Sequence, residues 1–503
     1  MSLVNPQNSV HSESQETEVQ KGKRSSLSDG LLYVDQSDSE NAHRKGEKTT
    51  FFHIAGYRKF GDLPFILLLL IFIGTSSLIA LNLREGIAPD EVGHFAFAKY
   101  FSTTLGLPKD TPETVAIGWQ IQHNPFLYHW VTGRAIQTLR ILRPSIADST
   151  LLVVLRLMST LMSAGSLIFL YLTSKLLIKN KWLQLMPVFL LINTLMFVFL
   201  SGAVSYDNLA NFFSFAAIYF FTCIFLGKNF TTYSILMIIC LGLACLVKFS
   251  ALPLAFGLVS WWIYLALSRK NELRKLKFEK RQAFLILIAV VVIVINIALY
   301  GYNLITYGSV TPTCEQVVDE NLCQTSVFAK RYQELALPEK LSIKESIEEG
   351  YPDPVEYVFY SWIPNILYRI YGILAQLSYF PRHTIVLFYI LYLSYLVLGV
   401  RVLPKKPGTI FVAFATLFVL YGVVLLRMNY NAELIYGFKQ IGMHGRYLFP
   451  VLGVFYIILS KILEKGRNIK FTWLLGFGTL VLFFYSGPLS LVIHYSTIFK
   501  DWF

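Results

Sequence analysis

Charge is scarce in this sequence. Only 15% of its 503 residues are Asp, Glu, Lys or Arg, against 54% hydrophobic and 15% aromatic. The apolar residues fall in blocks of about twenty, the length of one bilayer crossing, which excludes an ordinary soluble domain and reads as an all-α polytopic membrane protein. Other features are missing as well. No apolar stretch sits near Met1, so no cleavable signal peptide is expected and the first span itself must direct insertion. No periodic apolar pattern runs through the Ser-, Glu-, Gln- and Lys-rich start of the chain, and residues 1–55 read as a disordered cytoplasmic tail. No soluble stretch gathers the basic residues, so the net charge of +13 is topology, and nucleic acid is not expected as a partner. No internal repeat is visible, which counts against a multi-pass transporter.

What is present is a series of spans. Hydropathy places them at roughly 64–83, 151–174, 184–201, 208–226, 232–247, 251–267, 283–301, 384–402, 409–426, 447–463 and 471–493, about eleven helices within a membrane domain covering 56–495. Lys and Arg collect in "SRKNELRKLKFEKRQ" (268–282), "KLLIKNKW" (175–182), "RVLPKKPG" (401–408) and "EKGRNIK" (464–470). These segments share one side when the spans alternate, which sets the N-terminus in the cytoplasm and a short tail, 496–503, outside a cell inner or plasma membrane.

Two outside loops are long, 84–150 and 302–383. The first carries two amphipathic stretches, "DEVGHFAFAKYFSTTL" and "PFLYHWVTGRAIQTLRIL", expected to lie as helices in the interface. The second ends in "WIPNILYRIYGILAQLSYF", expected as an interfacial or re-entrant helix, with a twelfth span as the alternative. It also holds Cys314 and Cys323 around "EQVVDENL", a pair placed to form a disulfide outside, whereas Cys223, Cys240 and Cys245 lie in spans.

Four constellations on the outer face carry chemistry. Asp90, Glu91 and His94 stand where the first span ends. Pro89 followed by acids describes an ordinary helix start, yet Asp90 and His94 share one helical face just above the bilayer, where a carboxylate shielded from water can act as a base or a metal ligand. "QHNPFLYHW" sets His123, Asn124, Tyr128 and His129 at the opening of the second interfacial helix. "SGAVSYDNLANFFSF" puts Asp207, Asn208 and Asn211 at the same level, with an N-cap role for Asp207 as the plain alternative. Lys248, Arg427, Lys439, His444 and Arg446 are cations on the side where the positive-inside rule disfavours Lys and Arg. They pair with Asp207, Glu433 or the acidic loop, or snorkel to head groups, or else form a site for a lipid-linked phosphate.

With "PDEVGHFAFA", "NPFLYHW", "SYDNLANFFS", "VKFSALPLAF" and "GRYLFPVL" in this order and sidedness, the membrane part resembles the GT-C glycosyltransferase superfamily. That superfamily includes protein O-mannosyltransferases and the lipid A aminoarabinose transferase. The resemblance implies a catalytic acid at Asp90 or Glu91, a second loop acid at Asp207, and phosphate contacts at Lys248 and Arg446. We add Lys439 to the phosphate contacts and His94, His123, Asn124, Tyr128, Asn208 and Tyr447 as candidate substrate contacts. The expected reaction moves a sugar from a polyprenyl-phosphate donor to a glycan, lipid or protein acceptor on the outer face, among membrane lipids. No nucleotide site is needed; no cofactor is called for, and a divalent metal is left open. A polysaccharide polymerase or ligase using a lipid-linked oligosaccharide is the nearer alternative, and a transporter the more distant one. Unlike better-known members, the chain has no large soluble domain after its last span, so the two outside loops must select the acceptor.

Overall fold

A computed structural model describes residues 62–118, 121–270, 280–337, 341–350, 353–372, 383–402, 409–437 and 442–488. All of them belong to one unit, Arg58–Phe503. The tail expected at 1–55, and the C-terminal tail at 496–503, lie outside the described residues.

Among the described residues the chain is helix and loop, without strands. Nine helices are long and apolar enough to cross a bilayer, and ten if the bent pair at 181–201 makes one span. Of the expected eleventh, 471–493, the described part is the seventeen-residue helix Lys470–Ser486, and the count of eleven is not reached among the described residues. In the bent pair, α6 (Lys181–Ile192) and α7 (Leu195–Ser201) meet at 69°. The break falls at Asn193–Thr194, whose side chains donate back to the carbonyls of Phe189 and Leu190.

The expected interfacial stretches of the first loop form α2 (Glu91–Phe101) and α4 (Leu127–Leu142), with the short α3 (Pro112–Ile117) between them. Gly133 lets α2 and α4 close on each other, since a Cβ there would stand 2.7 Å from Phe101 Cβ. In the second loop, Ile363–Tyr371 is helical, with Ile366, Ile370 and Tyr371 on its buried side. Residues 373–382 lie outside the described set, and with them the question of a re-entrant or spanning helix there. The two loops meet: Ser326 donates to the Gly118 carbonyl, and His123 bonds Asn303.

Burial identifies the centre of the bundle. In α8 (Tyr206–Phe225) and the span Gly445–Lys465, 72% of the apolar window is buried, against 22% in α1 (Leu63–Asn82). Gly453 permits their contact, because a Cβ at that position would overlap the Phe215 ring. These two central helices begin at one membrane face with Asp207 and Arg446, beside α5 (Asp148–Leu177) and the turn after α9 (Phe230–Val247). The fold thereby brings together residues more than 300 positions apart.

Candidate active site

Asp90 is, among the described residues, the one non-glycine with positive φ, at 61°. L-residues other than Gly enter this left-handed region at a cost of about 1–3 kcal/mol, and such strain gathers at functional sites. Asp90 is the N-cap residue of α2, yet its side chain caps nothing. Its Oδ2 instead accepts from Arg446 Nη2 at 2.5 Å. The ordinary helix-start role therefore does not account for it.

Arg446 is the hub. It is 4% exposed, and its Nε lies 3.8 Å from Asp207 Oδ2. Asp207, in the first turn of α8, accepts from Lys248 Nζ through its other oxygen. Lys248 is itself buried, between the rings of Tyr206 and Tyr447, with its Nζ 4.5 and 4.4 Å from their centroids. The order along the site is Asp90, Arg446, Asp207, Lys248: two carboxylates interleaved with two cations. Arg446 still has spare valence. Its Nε and Nη1 are buried without a hydrogen-bond acceptor among the described residues, although buried donors are nearly always paired. Glu433, offered by the sequence as a counter-ion, makes no ion pair with these cations; its Oε1 is likewise buried without a hydrogen-bond partner.

A cavity of about 220 Å³ adjoins the cluster, with Lys248, Tyr447, Tyr206, Asn124 and His129 in its wall and Tyr332 of the second loop on its rim. The sequence singled out His129 in "QHNPFLYHW" without giving it a substrate contact, and did not point to Tyr206 or Tyr332. His94 Nδ1 and His129 Nε2 lie 3.0 Å apart, and Tyr206 packs edge-on against His94 at 4.4 Å. Burial drives His94 down to about 3, against Asp90, which raises it, and drives His129 well below the usual imidazole range. Both rings are neutral at physiological pH. For Asp90, burial pushes the carboxyl up, and Arg446 together with His94 and His444 outweighs it, holding the group below its ordinary value of 3.8.

The other candidates are dispersed. Glu91 is fully buried in an ion pair with Arg156 of α5, its Oε1 also accepting the Val204 amide at 2.9 Å. Arg156 donates in addition to the carbonyls of Leu83 and Ala80. Tyr128 is buried beside Ser159, and Asn208 bonds Ser163 and the Leu200 carbonyl, both as packing contacts. His123 lines a separate cavity of about 370 Å³ with Tyr302 and Asn303. Arg427 is exposed on its helix, and Lys439 lies outside the described residues. Cys314 and Cys323 are joined, with their Cα atoms 5.7 Å apart. Among the described residues no three His, Cys, Asp or Glu side chains group as metal ligands; the two site carboxylates are occupied by cations instead.

The class these observations define is an all-helical polytopic membrane protein. Residues 133–307 match the family model of dolichyl-phosphate-mannose-protein mannosyltransferase, a GT-C family. That segment contains the Asp207 and Lys248 motifs but neither the Asp90 nor the Arg446 motif. No curated protein matches the chain. Among solved structures it is similar to the oligosaccharyltransferase AglB from Archaeoglobus fulgidus in complex with an inhibitory peptide and a dolichol-phosphate, at TM-score 0.47 and 14% identity over 85% of this chain. It is also similar to ArnT from Cupriavidus metallidurans bound to undecaprenyl phosphate, at TM-score 0.41 and 11% identity over 82% of this chain. The chain covers 57% and 62% of the length of those two proteins.

Proposed function

We propose that this protein is a membrane glycosyltransferase that moves a sugar from a polyprenyl-phosphate donor to an acceptor hydroxyl, with Asp90 as the general base. The observation that carries this reading is Arg446: a buried guanidinium whose Nε and Nη1 have no hydrogen-bond acceptor among the described residues, held between Asp90 and Asp207 and next to Lys248. Buried donors of this kind, beside a second cation, suit a phosphate oxygen.

The donor phosphate takes up the free Arg446 N–H groups and the Lys248 ammonium, with Asp207 holding both cations in place. Arrival of that anion competes with Asp90 for Arg446 and releases the Asp90 carboxylate toward the acceptor. The acceptor oxygen then bonds the anomeric carbon while the bond from that carbon to the phosphate oxygen breaks. The electron pair leaves on polyprenyl phosphate, and the acceptor proton passes to Asp90. Arg446 and Lys248 stabilise the leaving charge. Glu91, occupied by Arg156 and the Val204 amide, acts as a positioning residue that fixes the backbone around Asp90.

Binding of a polyprenyl phosphate to the purified protein in detergent tests the phosphate site. Arg446→Gln and Lys248→Gln are expected to weaken it by about tenfold to a hundredfold, or roughly 1.4–3 kcal/mol. Binding equal to wild type in both variants overturns the assignment. Donors carrying one sugar or an oligosaccharide, compared in transfer, separate the monosaccharide reading from that of a polymerase or ligase.

A further inference from the structure

A cavity of about 1260 Å³ lies at the end of the bundle opposite the candidate active site. The helix Phe449–Lys465 starts just after Arg446 and ends at this cavity, seventeen residues or about 25 Å away. Four helices wall it: α1 with Leu67 and Leu68, α6 with Leu183 and Met186, the end of Phe449–Lys465, and Lys470–Ser486 with Gly476 and Phe477. Small-molecule clefts hold roughly 300–1,000 Å³, and this one is larger and runs along hydrocarbon-depth side chains.

Its polar end is cationic. Lys179, Lys461, Lys465 and Arg467 line it together with a single acid, Glu464. That acid is already occupied: it accepts from Lys461 at 2.5 Å and from the amides of Lys179 and Asn180 at 2.7 and 2.8 Å. Among the described residues, Lys179, Lys465 and Arg467 have no carboxylate within 4 Å, which leaves three uncompensated cations at one mouth. Thr472, also in the wall, is buried with its hydroxyl unpartnered. Trp182 and Trp473, which also line the cavity, are about three-quarters exposed, as side chains seated at the head-group level are.

We propose that this cavity is a binding site for an anionic glycerophospholipid, its phosphate held by Lys179, Lys465 and Arg467 and its two acyl chains lying between α1, α6 and the last two described helices. The site is independent of the catalytic reading. Cations alone would attract any acidic surface. A four-helix apolar pocket continuous with them selects a single lipid that stays with the protein.

The test is native mass spectrometry of the full chain extracted from nanodiscs containing phosphatidylglycerol and phosphatidylcholine. Wild type is expected to retain one phosphatidylglycerol per chain. K465Q/R467Q should reduce that retention at least tenfold. Gly476→Phe, which fills the apolar wall without altering charge, should reduce it too. K181Q/K470Q removes two cations from the same face outside the cavity lining and should leave it unchanged. Equal retention in wild type and K465Q/R467Q overturns the proposal. So does equal loss in K181Q/K470Q, which would make the effect one of general surface charge, or retention of phosphatidylcholine, or of added polyprenyl phosphate, in place of phosphatidylglycerol.

Discussion

Replacing Glu91 by Gln tests how the site is held. Glu91 and Arg156 are 0% and 2% exposed, joined by two charge-assisted hydrogen bonds at 2.8 and 2.5 Å. Such bonds contribute about 1.5–3 kcal/mol each, and breaking a buried pair from one side costs about 3–5 kcal/mol because the other charge is stranded. Gln keeps an oxygen for the Val204 amide, so the loss falls on the pair itself. Glu91→Gln and Arg156→Met are each expected to destabilise by about 3–5 kcal/mol. The double variant Glu91→Gln/Arg156→Met should lose much less than their sum, a coupling of about 3 kcal/mol. Unfolding of the reconstituted protein in SDS-containing mixed micelles measures this. Below its own unfolding range, Glu91→Gln should transfer sugar within about tenfold of wild type, or 1.4 kcal/mol. A Glu91→Gln protein as stable as wild type but without transfer would refute the positioning role and make Glu91 the catalytic acid.

The Asp90–Arg446 pair carries a pH signature. Because Asp90 titrates below 3.8 in the folded protein, its contribution is present above that value and is lost as pH falls through the lower, folded one. Wild type should therefore exceed Asp90→Asn in stability by a constant amount at neutral pH, with the gap closing under acid; a gap independent of pH would refute the pairing. Gly133→Leu should drive α2 from α4 and abolish transfer, whereas Gly74→Leu, at a position with open space around it, should be silent in the same assay. Removing the disulfide by Cys314→Ser/Cys323→Ser is expected to cost about 2–3 kcal/mol locally, read as faster proteolysis of the second loop at unchanged global unfolding.

The architecture was legible because a bilayer imposes a length rule that the apolar blocks obey directly. Helix α1 and most spans after it fall where hydropathy sets them, apart from the bent pair at 181–201 and the shorter Lys470–Ser486, and the first-loop helices appear where amphipathic spacing places them. Of the site, Lys248 and Arg446 were legible as cations on a face where Lys and Arg are disfavoured, and Asp90 and Asp207 as acids at the same level, each with a plain helix-start or N-cap alternative. The same argument reaches Arg156, in the midst of "LLVVLRLMST", had it been applied inside a span as well as at its end; a buried Arg requires an acid, and the acid is Glu91. Pairing itself was not legible. Asp90 and Glu91 are neighbours with opposite fates, one toward Arg446 and one toward Arg156, and the division depends on the left-handed backbone at Asp90, which no local pattern announces. Tyr128 and Asn208 have chemistry-bearing side chains at the right level, but their place in their helices turns them toward packing contacts, and His123, in the turn before α4, lines a separate cavity. Tyr206 was hidden for the converse reason, since aromatic residues at an interface are expected on structural grounds alone.

The most direct measurement is sugar transfer by Asp90→Asn reconstituted in liposomes with a defined polyprenyl-phosphate sugar and an acceptor, alongside wild type. Asn keeps the shape and removes the charge. The account predicts that Asp90→Asn binds polyprenyl phosphate at least as well as wild type, since Arg446 is freed, while transfer falls by a factor of about 10² or more. Full transfer by Asp90→Asn would contradict it.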